Sequence, residues 1–139
     1  MNARNKRSAE ADELAIRNLV AKLAHAADHG DIEEYIGFFT EDASWEMPDA
    51  PRRGWAEIRA GAEERRRTGL TGPGSASRHV LSTLAVHLAG VDAAEADSYF
   101  IFFRETATNP TIFNMGHYHD DLRFVDGEWR LARRQITIG

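Results

Sequence analysis

The strongest constraint on the fold is a change of pattern at about residue 78. Everything after it reads as strand, while almost all helical periodicity lies before it. "RHVLSTLAVHLAG", "EADSYFIFFRETA", "IFNMGHYHDDLRFV" and "EWRLARRQITI" are rich in apolar and β-branched residues. They are separated by short breaks at Gly90-Val91-Asp92, "TNPT" and Asp126-Gly127. Connections this short favour antiparallel neighbours.

Upstream, Ile16, Leu19, Val20, Leu23 and Ala27 recur at helical spacing and predict an amphipathic helix over Asp12–Asp28. Gly30 is expected to end it in the left-handed conformation. Asp31 with Glu34 forms a capping-box variant for a second helix, whose stripe is Ile32, Tyr35, Ile36 and Phe39. Ala43, Trp45 and Met47 alternate with polar residues, predicting a short strand with Trp45 inward. "PRRGWAEIRAGAEERRRTG" is a third helix with Trp55, Ile58 and Ala62 on one face, and its charge run Glu63–Arg67 reads as solvated surface. Three helices against an antiparallel sheet give an α+β domain, with helices on one face and a curved sheet forming a cone. The open end of such a cone is a natural small-molecule pocket.

The whole chain, residues 1–139, is expected to be one domain, with residues 1–8 as a tail. Its 42% apolar content suffices for a core, and a net charge of −5 argues against nucleic acid as a partner. The lack of cysteine excludes disulfides and thiolate chemistry and fits a cytoplasmic setting. No signal peptide and no membrane span are expected.

Within "HAADH", His25 and His29 have the i, i+4 spacing of a zinc helix, but Ala26 stands where the glutamate should follow. At 100° per residue they fall about 180° and 220° round the wheel, opposite the apolar stripe, while Asp28 falls at about 120°, on its edge. No metal site is therefore expected there, and Asp28 is the unusual residue: a carboxylate at the margin of burial needs a partner. His79 opens the strand after the breaker-rich loop "LTGPGSAS" and could be a structural histidine or, oriented by Asp28, a general base. His117 and His119 share a strand face and read as outer-face residues without a third ligand; Tyr118, on the other parity, is the better pocket residue. One of Arg133 and Arg134 must face inward, and a bulge would change which one.

The segments "AIRNLVAKLAHAADHGDIEEYIGFFTEDASWEM", "RGWAEI", "SRHVLSTL" and "GHYHDDLRFVDGEWRLARR" resemble the SnoaL-like branch of the nuclear transport factor 2-like superfamily. The likeness runs from about Glu13 to Ile138. The resemblance implies the cone fold, and it implies an Asp–His dyad of the scytalone dehydratase and hexachlorocyclohexane dehydrochlorinase kind at Asp28 and His79. It also places the dehydrochlorinase's late arginine at Arg134 and its first-strand tryptophan at Trp45. This chain departs from both enzymes. Leu23 or Ala24 replaces the dehydrochlorinase's lysine and Ser77 its cysteine. The dehydratase's second histidine has no clear counterpart, and its asparagine falls near Tyr118.

The reading that follows is a lyase or isomerase, without cofactor, acting on a small, largely apolar cyclic molecule. His79 would take a proton and Asp28 would orient it. Tyr118, Arg134 or Ser77 would stabilise negative charge, with Trp45, Tyr99, Phe103 and Phe113 as apolar wall. Two other readings stay open: a non-catalytic small-ligand-binding or assembly module, and the small subunit of a ring-hydroxylating dioxygenase. Apolar residues on both parities of the long strands predict a homodimer or higher oligomer through the outer sheet face.

Overall fold

Helix α1 (Ala9–His29) begins about two turns ahead of its apolar stripe because Ser8 caps it. The Ser8 hydroxyl accepts from the Ala11 N–H at 3.0 Å, satisfying a donor that the first turn leaves unpaired. The computed structural model describes residues 7–139. Most of the expected tail lies outside that range. Arg7 is fixed, bonding Asp12 at 2.9 Å and lying over the Phe124 ring at 3.5 Å.

Gly30 ends α1, but not in the left-handed conformation expected of it: its φ is −86°. Glycine is required by close approach instead, since a Cβ there would stand 2.9 Å from the Ala26 Cα. Asp31 then caps α2 (Ile32–Gly37) by accepting from the Glu34 N–H at 2.7 Å. Strand β1 (Phe39–Glu46) and a two-residue strand β2 (Arg52–Arg53), not foreseen in the sequence, lead into α3 (Gly54–Arg67). The remaining strands are β3 (Arg78–Leu88), β4 (Ala93–Arg104), β5 (Thr111–Val125) and β6 (Glu128–Ile138).

The six strands form one sheet in the order β2-β1-β6-β5-β4-β3. Neighbours are antiparallel except β1 and β6, which run parallel, so the sheet is mixed rather than purely antiparallel. The short-connection argument covers only consecutive strands, and these two come from opposite ends of the sheet-forming sequence.

Two bulges decide which side chains reach the interior. In β3 the register shifts between Ser82 and Ala85, and Thr83 takes a φ of +54°. Leu81 therefore faces inward before the bulge, and Leu84, Val86 and Leu88 pack inward around and after it, while Val80 faces out. In β6 Leu122 pairs with Leu131 but Asp121 pairs with Arg133, leaving Ala132 as the extra residue. Trp129 and Leu131 on one side of it, and Arg134 and Ile136 on the other, are all buried.

The core has three parts. Ile16 and Leu19 of α1 pack on Ala94, Ala96, Leu122 and Trp129 of the sheet. Leu23 and Ala26 pack with Tyr35, Ile36, Phe39, Ile58 and Leu131, tying all three helices to β1 and β6. Each large aliphatic chain so buried contributes about 1.5–3 kcal/mol. Phe100 stacks on Tyr118 at 4.5 Å between ring centroids, over Gly116. A Cβ at Gly116 would stand 2.8 Å from the Phe100 ring and 2.1 Å from the Thr137 carbonyl oxygen. The aromatic ring thus fills the place of the missing side chain. Among the described residues no helix is long and apolar enough to cross a membrane.

Candidate active site

The last turn of α1 faces the start of β3 because Leu23 and Ala26 anchor the helix beside α2 and the inner sheet. That geometry brings Asp28 and His79 together. The Asp28 carboxylate is 2.7 Å from His79 Nδ1 and also accepts the His79 backbone N–H, at 3.2 and 3.1 Å to its two oxygens. A carboxylate only accepts, so the ring contact places the proton on Nδ1 and leaves Nε2 with its lone pair. Nε2 bonds to none of the described residues. Phe102 packs on the ring at 4.6 Å, and the side chain is 18% exposed, enough to be reached from the cavity.

That cavity opens between α1, α3 and the inner sheet, lined by Leu23, Ala27, Tyr35, Trp45, His79 and Tyr118 among others. It is narrow. The room for the centre of a water molecule is about 50 Å³, several times what one water needs. Small residues at Ala24, Ala27 and Ala62 create this room.

Opposite the dyad, Asp120 and Arg134 form a buried bidentate pair, with two N–O distances of 2.8 Å. Burial disfavours the Arg134 charge, but Asp120, through its charge and hydrogen bonds, outweighs this and holds the guanidinium above its usual pKa. The Arg134 guanidinium lies over the Tyr118 ring at 3.8 Å from its centre. Burial pushes the Tyr118 phenol well up, so it keeps its proton as a hydrogen-bond donor. The hydroxyls of Tyr35 and Tyr118 bond to none of the described residues and line the same cavity.

Of the residues singled out in the sequence, Asp28 and His79 meet, and Trp45, Tyr118 and Arg134 line the cavity with His79. Four do not belong to it. The Ser77 hydroxyl is used within its own loop, donating to the Leu70 carbonyl at 2.9 Å beside Ser75. Tyr99 and Phe103 take the outer parity of β4, where Phe100 and Phe102 are the inward pair. Phe113 sits at the bulge opposite Phe102–Phe103, 53% exposed, with only its edge against Phe102. Arg133 points outward to Glu46, at 2.6 Å.

His25 and His29 are both exposed and 3.4 Å apart. His117 and His119 are outer-face residues, and acidic side chains that the sequence reading did not foresee gather round them. Asp97 bridges both, and the ligand atoms of Glu95, His119 and Asp121 lie within 4.8 Å of one another. Sequence reasoning missed Tyr35, Arg65, Arg66 and Thr71 as lining residues. The arginines were legible: they follow Ile58 and Ala62 at helical spacing on the buried face.

A family model described as a SnoaL-like domain matches residues 9–135. None of the curated proteins is significantly similar. Among solved structures, an NTF2-like protein with a cystatin-like fold from Novosphingobium aromaticivorans is 25% identical with a TM-score of 0.81. The match covers 91% of this chain and 81% of that one. A putative scytalone dehydratase from the same organism is 20% identical, TM-score 0.76, over 92% and 84% of the two chains. ActVI-ORFA from Streptomyces coelicolor is 24% identical, TM-score 0.75, over 91% and 96%.

Proposed function

The chain belongs to the SnoaL-like family of the nuclear transport factor 2-like superfamily, and from that premise we propose that it is a lyase or isomerase that removes a proton from a small cyclic substrate. The observation that carries this is the threefold contact between Asp28 and His79, with Nε2 left over at a cavity wall.

His79 Nε2 accepts the substrate proton, and Asp28 stabilises the imidazolium that forms. The electron pair of the broken C–H bond moves onto the adjacent carbonyl or expels a leaving group. In the first case the proton returns elsewhere on the ring; in the second His79 delivers it to the departing oxygen. The phenols of Tyr118 and Tyr35 are free to donate to the developing oxyanion, and Arg134 supplies positive charge beside them. Trp45 and Leu23 form the apolar wall. A putative scytalone dehydratase among the similar folds is consistent with this class of reaction.

The narrowness of the cavity favours one other reading, a non-catalytic small-ligand-binding module. Screening small cyclic ketones and β-hydroxy ketones for solvent deuterium uptake or water loss separates the two. The enzyme reading requires turnover that falls ~10²–10⁴-fold in His79→Ala. A binding module gives bound ligand without exchange.

A further inference from the structure

Two guanidinium groups on one wall of the cavity have no carboxylate partner. Arg65 and Arg66 both line it, on the last turn of α3. Arg65 lies over the Trp45 ring, 4.7 Å from its centre, and Arg66 donates to the Ala26 carbonyl at 3.0 Å. Among the described residues no carboxylate lies within 4.0 Å of either guanidinium. Arg67, the next residue, turns outward and pairs with Glu64 at 2.6 Å.

The acids near the cavity are already committed, Asp28 to His79 and Asp120 to Arg134. The wall therefore carries an excess of positive charge. Behind that wall Arg52, which lines a separate recess with Glu46 and Glu57, approaches Arg65. Arg52 Nε is buried without a hydrogen-bond partner. Gly61 leaves the gap that Arg52 and Arg65 share: a Cβ there would stand 3.1 Å from Arg52 Nε and 3.2 Å from Arg65 Nη1. Gathering like charges beside an apolar wall costs free energy that an anion between them offsets. A guanidinium's planar fork matches the two oxygens of a carboxylate.

We infer that the ligand carries a carboxylate, held by Arg65 and Arg66, with its ring directed into the cavity. The inference rests on the dyad reading only for which end of the ligand reacts. The anion subsite itself is built from α3 side chains rather than from Asp28 and His79. Aromatic or alicyclic carboxylates are then the substrate class.

Calorimetric titration with benzoate and with benzamide, its uncharged isostere, tests this without knowledge of the substrate. Benzoate is expected to bind, and benzamide to bind at least about tenfold more weakly. Arg65→Gln and Arg66→Gln should each weaken benzoate about ten- to a hundredfold and leave benzamide unchanged. Arg65→Lys, which keeps the charge but loses the fork, should fall between. Binding is read without turnover, so the subsite stands or falls independently of the dyad chemistry, and Arg67→Gln, on the exposed side of α3, should leave benzoate affinity unchanged. No benzoate binding, equal affinity for the two probes, or unchanged affinity in both folded Gln variants overturns the inference.

Discussion

Asp28 accepts both the backbone N–H and the ring Nδ1 of His79, a residue 51 positions away in the chain. The carboxylate thereby fixes the place where β3 starts as well as the tautomer of the ring. Nitrogen-15 NMR of the neutral imidazole should show a proton on Nδ1 and none on Nε2. In Asp28→Asn this preference should weaken or reverse. An Nε2–H tautomer in the unaltered protein would contradict the geometry argued for the base.

Arg134 is 6% exposed and Asp120 is fully buried, so each neutralises a charge that water cannot reach. Asp120→Ala is expected to cost about 3–5 kcal/mol, because it strands the guanidinium. Replacing the pair together, Asp120→Leu with Arg134→Met, should cost much less. Urea denaturation of the single and double variants measures both.

On the outer face His119 is held above the usual histidine range, first by its hydrogen bond to Asp97, and Asp97 is held below the usual carboxylate range chiefly by His119. Glu95, Asp121 and His117 face the same group. A raised histidine adds stability below its unfolded pKa and loses it as pH rises through the folded one; a lowered carboxylate loses its contribution as pH falls. The bridge therefore stabilises most between about pH 4 and 6.5. His119→Gln should lower the melting temperature at about pH 5.5 and scarcely alter it at about pH 8.5. An equal effect at both would contradict the pairing.

Val80, Ile101 and Met115 stand side by side across β3, β4 and β5, with Tyr99 beyond them. Val80, Tyr99 and Met115 are about half exposed, an apolar strip on a face that carries no helix. A twofold contact would cover it. Light scattering is expected to give about twice the 15.6 kDa of one chain. Met115→Lys should shift the protein toward monomer. A monomer over a wide concentration range would refute the contact.

The helical half and the four long strands were legible because their apolar periods are strong. Asp28 was legible because a carboxylate at the edge of a helix stripe must find a partner. What failed has specific causes. The parallel pairing of β1 with β6 joins segments far apart in sequence, which no local pattern reports. The two bulges reversed parity mid-strand, so Val80 and Leu84, which share parity in the sequence, face opposite sides, and Arg134 could not be chosen over Arg133. Tyr99 and Phe103 were drawn to the pocket for being aromatic, where the inward parity belonged to Phe100 and Phe102. Arg65 and Arg66 stand in a charge run whose other members, Glu63, Glu64 and Arg67, are exposed, and only their helical spacing after Ile58 and Ala62 sets them apart.

The most direct test of the dyad is a double-mutant cycle in turnover, with melting temperatures taken on the same samples. His79→Ala and Asp28→Asn should each stay folded and each lower the rate, His79→Ala by ~10²–10⁴-fold. If Asp28 acts through His79, adding Asp28→Asn to His79→Ala should cause almost no further loss. Folded single variants that keep full activity, or losses that simply multiply in the double variant, would contradict the account.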